Sequence, residues 1–294
     1  MASKPKTFKK LMVQKLTSNF REAVSVENVE MCHPRKGEIC VRNKFVGVNP
    51  KGDGVGEIVE VGEKVENLQV GATVAYMHSG RSAYAECLGA RITTGDTVLI
   101  TAAAGGTGHI AVQWAKATGC HVIGTCSSEE KEKMLKGLGC DRIINYRKED
   151  LGEVLAKEYP KGVDAVWETI GGKVLEECLK HLAIKGRLLI VGGISGYKTE
   201  NKEVFAKLDL SNLPEQLLFK SAAVQGFFLP AYADSKIPYF KYLSKSLEAG
   251  KLKIIYDNGE KTAGTEFFGV EGIIEGVEHL HSGRNIGKVV VRMS

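Results

Sequence analysis

The sequence predicts an α/β protein, a doubly wound parallel sheet preceded by a β-rich region. Three observations carry this. The first is the stretch Thr97-Val-Leu-Ile-Thr-Ala-Ala-Ala-Gly-Gly-Thr-Gly-His-Ile-Ala-Val-Gln-Trp-Ala-Lys116, which reads as a buried strand, a small-residue turn and the start of a helix. The second is a change of pattern at Gly95, from glycine-punctuated strands to alternating strands and helices. The third is the supply of six short apolar strands after that point, enough for a doubly wound sheet with ligands at its carboxyl edge.

The turn is chemically the most informative piece. A glycine turn between a strand and a helix exposes backbone N–H groups, and the helix dipole adds partial positive charge. Gly105 and Gly106 allow a pyrophosphate to approach the backbone, and Gly108 allows the helix to pack close to the strand. Ala102 stands where the fingerprint has its first glycine, giving A-x-x-G-x-x-G. A tight βα turn that binds nothing gives a similar pattern, so the flanking strand and helix carry the argument.

Composition narrows the class. The 294 residues suffice for one large or two ordinary domains, and 43% hydrophobic with 26% charged residues is globular composition. A net charge of +5, with the basic residues dispersed along the chain, argues against a nucleic-acid platform. Lys4, Lys6, Lys9 and Lys10 read as a solvated tail, since no apolar core follows them. No apolar run approaches the ~18 residues of a membrane span. The seven cysteines, odd in number and without C-x-x-C, read as reduced thiols of an intracellular protein. The expected location is the cytoplasm, with the peroxisomal matrix as the alternative.

Taken in order, residues 8–90 supply strands at Leu11–Leu16, Glu38–Val48, Gly54–Gly62, Gly71–Tyr76 and Ala83–Cys87. Gly54–Gly62 alternates apolar and acidic residues, as a half-buried strand does. The second half places strands at Thr97–Thr101, Cys120–Thr125, Arg142–Tyr146, Val163–Thr169, Arg187–Gly192 and Ser221–Leu229. Helices are expected at Glu129–Leu138, Tyr239–Ala249 and Val270–His281, the last stopped by Gly283. A final strand, Gly287–Met293, gives a tail able to return to the first region.

Several runs carry a family resemblance: Phe45-Val-Gly-Val-Asn49, Gly54-Val-Gly-Glu-Ile-Val-Glu-Val-Gly62, Ala102–Gly108, His121-Val-Ile-Gly-Thr-Cys-Ser-Ser128, Leu138-Gly-Cys-Asp-Arg142, Val191-Gly-Gly-Ile-Ser-Gly-Tyr197 and Val224-Gln-Gly-Phe-Phe-Leu229. With these the chain resembles the medium-chain dehydrogenase/reductase superfamily. The likeness is to its zinc-free branch of quinone oxidoreductases and enoyl reductases, and within it to the prostaglandin reductases. The resemblance implies a Rossmann domain and a β-rich GroES-like catalytic domain. It places the first part of the GroES-like domain at 1–91, the NADP-binding domain at 92–250 and the returning tail at 251–294. Two joints depart from the family. Asn49 reaches Gly54 through only Pro50-Lys51-Gly52-Asp53, and Leu88-Gly89-Ala90 runs directly into Arg91, where the family has longer segments. Either the chain is abridged there or its pieces are joined across longer loops. The second case predicts interrupted Cα spacing at both joints.

Candidate site residues follow strand ends. NAD-binding proteins usually end the second strand in Asp or Glu for the adenosine ribose; this chain has Cys126-Ser127-Ser128. Ser127, with Lys131 on the next helix and Tyr146 after the third strand, suits a 2′-phosphate, and the resemblance implies the same three positions. One of the two serines also reads as a plain helix N-cap. Thr107 is expected at the pyrophosphate, Thr169, Ile170 and Gly171 at a ribose, and Val191, Gly192 and Ile194 at the nicotinamide. The resemblance adds Phe227, Phe228 and Leu229 at the nicotinamide and Asn285 on the tail. Related reductases place a tyrosine near the substrate carbonyl, which implies Tyr197 as a catalytic residue, also beside the cofactor, that stabilises an enolate.

Zinc finds no support, because the family's Gly-His-Glu segment is absent and Cys32-His33 is a lone pair. Tyr232-Ala-Asp-Ser-Lys236 matches Y-x-x-x-K by chance, having no partner serine. The resemblance implies an NADPH-dependent reductase of the carbon–carbon double bond of α,β-unsaturated ketones, with 15-oxo-prostaglandins as implied substrates. Quinone reduction and non-catalytic NADP binding stay open. A homodimer is expected through the sixth strand at a sheet edge, as in related dimers.

Overall fold

The computed structural model describes residues 7–15, 17, 19–48, 53–77, 91–198, 208–228 and 236–294. These form two compact units, one of residues 1–79 with 256–294 and one of residues 80–255. The two shortened joints, at 50–52 and 88–90, lie outside the described residues, as does the expected strand Ala83–Cys87.

The central unit holds a six-stranded parallel sheet. Its strands are β6 (Thr97–Ile100), β7 (His121–Cys126), β8 (Arg142–Asn145), β9 (Val163–Glu168), β10 (Leu182–Ile190) and β11 (Ala223–Gly226), in the order β11-β10-β9-β6-β7-β8. This is the doubly wound α/β sheet expected from the sequence. The helices are α2 (Gly108–Thr118), α3 (Glu129–Gly137), α4 (Leu151–Glu158), α5 (Gly172–Lys180), α6 (Leu213–Lys220) and α7 (Lys236–Glu248).

Alternation along the strands explains the layers. Val98, Ile100, Val122, Ala165, Trp167 and Leu189 turn to one face, where Ala111, Val112 and Ala115 of α2 and Leu135 of α3 meet them. Leu99, Ile123, Val166 and Leu188 turn to the other, against Val154 and Leu155 of α4 and Leu175, Cys178 and Leu179 of α5. With both faces covered, the strand centres carry apolar side chains on both sides, as parallel strands do. Truncating one such fully buried side chain, Leu99 for example, costs about 2–5 kcal/mol. Local signals set the helix ends. Ser128 Oγ accepts from Lys131 N at 3.3 Å to cap α3, Asp150 Oδ1 accepts from Glu153 N at 2.9 Å to cap α4, and left-handed Gly119 closes α2.

The sixth strand is shorter than the apolar run Ser221–Leu229 suggests. Ser221 is left-handed, φ 47°, and ends α6 as its C-cap, so it cannot extend the strand. β10 is longer, starting at Leu182 with an irregularity before Arg187 where Lys185 is also left-handed.

The other unit carries a five-stranded sheet ordered β12-β13-β3-β4-β5, made of β3 (Ile39–Gly47), β4 (Asp53–Val61), β5 (Thr73–Met77), β12 (Tyr256–Asp257) and β13 (Lys288–Arg292). A hairpin of β1 (Thr7–Val13) and β2 (Val24–Glu30) accompanies it, with the single turn α1 (Phe20–Ala23) between them. The tail does return: β13 pairs with β3, and α8 (Gly269–Ser282) covers it.

Candidate functional site

The sheet order reverses between β6 and β9. The chain leaves β6 toward one face and β9 toward the other, which opens a crevice at their carboxyl ends. The expected phosphate turn sits there. Ala102 N–H donates to Thr125 Oγ1 (3.0 Å) and Ala103 N–H to Thr125 O (2.9 Å), which anchors the turn to β7. Gly105 N–H donates back to Ala102 O at 2.9 Å, and Gly106 and Thr107 lead into α2. The Thr107 side chain makes no capping bond, so α2 does not close its own N-terminus with a hydroxyl. A Cβ at Gly108 would lie 2.5 Å from Ala102 O and 2.8 Å from Ala103 Cα, so only glycine fits at this close approach.

At the end of β7 the expected adenosine residues come together. Ser127 and Lys131 are both buried, and Lys131 Nζ donates to Ser127 Oγ at 3.3 Å. Ser128, not Ser127, is the helix cap, which leaves the Ser127 hydroxyl for the lysine. Tyr146 N–H bonds Cys126 O at 3.1 Å, and its ring is half exposed beside this strand end. A buried ammonium beside a hydroxyl, with serine at the usual carboxylate position, is a donor set for an anion.

The loops after β9 and β10 are laced to each other. Ile194 N–H donates to Thr169 O (3.1 Å) and Ser195 N–H to Ile170 O (3.0 Å). Val191 and Gly192 N–H reach Glu168 O at 2.8 and 3.4 Å. Thr169, Ile170, Gly171, Val191, Gly192 and Ile194 therefore form one edge of the crevice. Glu168 is the residue that sequence reasoning missed. It is fully buried, and its Oε1 accepts from Ile170 N (2.7 Å) and Gly171 N (3.0 Å). Burial pushes its carboxyl above the usual range, and those backbone donors pull the other way. Thr101, directly after β6, completes the knot, receiving Thr169 N–H at 2.9 Å. The available signal was a carboxylate directly after Ala165-Val-Trp167 and directly before Thr-Ile-Gly-Gly.

The remaining candidates separate. Phe227 is buried in the same core as Ala103 and Ala104, whereas Phe228 is 56% exposed, and Leu229 lies outside the described residues. Tyr197 lies in the 3-10 turn Ile194–Lys198 after β10. Asn285 belongs to the other unit, buried, its amide donating to Gly287 O at 3.0 Å. Asp257 holds that turn, accepting from Ile286 N (3.0 Å), Gly259 N (2.9 Å), Thr262 Oγ1 (2.5 Å) and His279 Nε2 (3.1 Å). Among the described residues no three His, Cys, Asp or Glu side chains gather as a metal site, and His33 pairs with Glu60.

A parallel sheet of this order, a glycine turn at its reversal and a second unit built from both chain ends define a nucleotide-binding dehydrogenase or reductase. The comparisons agree. A family model described as zinc-binding dehydrogenase matches residues 106–244. Prostaglandin reductase-3 of Bos taurus is 37% identical over 342 residues, covering 98% of this chain and 90% of that protein. A probable quinone oxidoreductase of Leishmania amazonensis is 36% identical, covering 99% of each. The fold is similar to the crystal structure of CurA in complex with NADPH from Vibrio vulnificus, with a TM-score of 0.82 at 22% identity over 98% of this chain and 99% of that one. The chain belongs to the medium-chain dehydrogenase/reductase superfamily, in the branch that holds prostaglandin reductase-3 and the quinone oxidoreductases. The 342-residue match is longer than the 294-residue chain, so the bovine relative carries segments that this chain lacks.

The turn yields one prediction. Ala102 adopts φ 45°, in the left-handed region, at the place of the fingerprint's first glycine. That conformation costs an L-residue roughly 1–2 kcal/mol, against about 0.4–1 kcal/mol of extra unfolded-state entropy for glycine. Ala102→Gly therefore stabilises the protein by up to about 1 kcal/mol, read as a higher urea midpoint at unchanged m. A lower midpoint contradicts the strain.

Proposed function

We propose that this chain is an NADPH-dependent reductase of the carbon–carbon double bond of α,β-unsaturated ketones, with 15-oxo-prostaglandins as substrates. The observation that carries the cofactor is the buried Ser127–Lys131 pair at the end of the second sheet strand in sequence. The relative named prostaglandin reductase-3 supports the reaction. A quinone as acceptor is the second reading, favoured by the Leishmania relative.

The residues fit the group. Gly105, Gly106, Thr107 and Gly108 hold the pyrophosphate on the N-terminus of α2. Ser127, Lys131 and Tyr146 receive the 2′-phosphate. Thr169, Ile170 and Gly171 line the ribose, and Val191, Gly192 and Ile194 the nicotinamide. When bound, NADPH supplies a hydride to the β-carbon of the enone. The protein orients the two partners, and the Tyr197 phenol donates to the developing enolate oxygen while solvent supplies the proton at carbon. No triad or metal is needed for these roles. An odd number of cysteines without a C-x-x-C pair suits the cytoplasm or the peroxisomal matrix.

Three measurements test this reading. NADPH oxidation is followed with a 15-oxo-prostaglandin and with a quinone. Turnover of the enone supports the reading, turnover of the quinone alone favours the second, and binding without turnover of either overturns catalysis. For cofactor choice, a charge-assisted hydrogen bond contributes roughly 1.5–3 kcal/mol, so Lys131→Ala weakens NADPH about tenfold to a hundredfold and leaves NADH nearly unchanged. Ser127→Asp improves selectivity for NADH by setting a carboxylate against the phosphate. Equal weakening of both cofactors by Lys131→Ala contradicts the phosphate pocket.

Assembly belongs to the same proposal. β11 is the outer strand of its sheet, and Leu218, Phe219 and Phe228 near it in sequence are exposed. An outer strand, among the described residues, with apolar side chains near it suits pairing with a second copy. Sedimentation at micromolar concentration then gives a dimer, and a monomer counts against it.

A further inference from the structure

His109, on the first turn of α2, is fully buried and none of the roles above uses it. Its Nδ1 lies 2.7 Å from Gly105 O, in the phosphate turn. Its Nε2 lies 3.1 Å from Ile255 N. A backbone N–H only donates, so Nε2 is the acceptor and Nδ1 carries the proton that bonds Gly105 O. Burial lowers the ring's proton affinity, with the Gly105 bond opposing, so the ring is neutral at pH 7.

One turn further along α2, Gln113 faces the same segment. Its Nε2 donates to Lys253 O (2.9 Å) and its Oε1 accepts from Lys253 N (2.8 Å). Side chains at i and i+4 share a helix face, and residues two apart share a strand edge. His109 and Gln113 therefore present three hydrogen bonds to Lys253 and Ile255, as a neighbouring strand would. This segment is where the central unit ends and the chain continues into the tail.

We propose that His109 is a positioning residue which couples the phosphate turn to residues 253–255, so that a dinucleotide on the turn also orders this exit segment. The inference rests on the NADPH reading above. A ligand that fixes the Gly105 carbonyl fixes the ring, and the ring fixes the Ile255 amide. By reciprocity, a segment held in place favours the bound form of the turn.

Hydrogen exchange of the full chain, with and without saturating NADPH, reads the coupling directly. The peptide containing Lys253–Ile255 slows about tenfold on binding. In His109→Phe, which keeps a ring but loses both bonds, that added protection disappears and the NADPH dissociation constant rises about tenfold. His109→Gln, whose amide oxygen reaches toward Ile255, restores most of both. Nitrogen-15 imidazole shifts of the unmodified protein show a protonated Nδ1 and a bare Nε2. Failure of NADPH to bind the unmodified protein overturns the cofactor reading and this inference together. Binding that leaves 253–255 unprotected, equal protection in His109→Phe, or the opposite tautomer overturns this inference alone. The exchange and tautomer measurements need no variant, so poor folding of His109→Phe does not spare the proposal.

Discussion

The crevice exists because two adjacent parallel strands send their chains to opposite faces. β6 and β9 end side by side, and two loops must diverge there without collapsing into the gap. Thr101 and Glu168 solve that problem. The threonine hydroxyl takes the Thr169 N–H, and the glutamate takes the N–H groups of Ile170 and Gly171. Backbone donors that would otherwise be buried without partners are thereby satisfied, each worth about 1–3 kcal/mol if left unmade. The carboxyl is costly to bury, and it is retained where it holds the loop that faces a ribose in the proposed complex.

Two anion-friendly features flank this knot, and they differ in kind. The turn at the start of α2 offers backbone dipoles, which in the proposed complex meet a pyrophosphate and carry no choice between cofactors. The pair Ser127–Lys131 offers a cationic side chain, which in the proposed complex tells a 2′-phosphate from a bare ribose. An ammonium brought out of water beside a hydroxyl is expensive unless something repays it. In the proposed complex a bound phosphate joins the partners that the lysine already has.

Legibility followed sequence separation. The six central strands stood out because each is a short apolar run and each is flanked by its own turn signal. The glycine turn stood out because Gly108 is demanded by a contact only a few residues away, with Ala102. Ser127 and Lys131 were legible for the same reason, being four residues apart on one strand end and helix start. Glu168 was not, since its meaning depends on Thr101, 67 residues earlier, and a lone glutamate after a strand reads as solvated. β2 also escaped notice. Its three valines are spread among polar residues, and its partner β1 completes a separate two-stranded sheet. Ser221 misled in the other direction, because nothing in an apolar run announces a left-handed helix end.

His109 extends the same argument to the helix that carries the turn. From the sequence it is one polar residue in the small apolar start of α2, indistinguishable from a residue bound for solvent. Its acceptor and its donor are 4 and 146 residues away, on opposite sides of the ring. A side chain able both to donate and to accept, at two fixed nitrogens on a rigid plane, suits a position that must join a carbonyl on one side to an amide on the other. A serine is too short to span that gap, and a lysine only donates. The helix start that holds the phosphate turn is thus also the anchor of the segment by which the chain leaves this unit, and one neutral imidazole serves both.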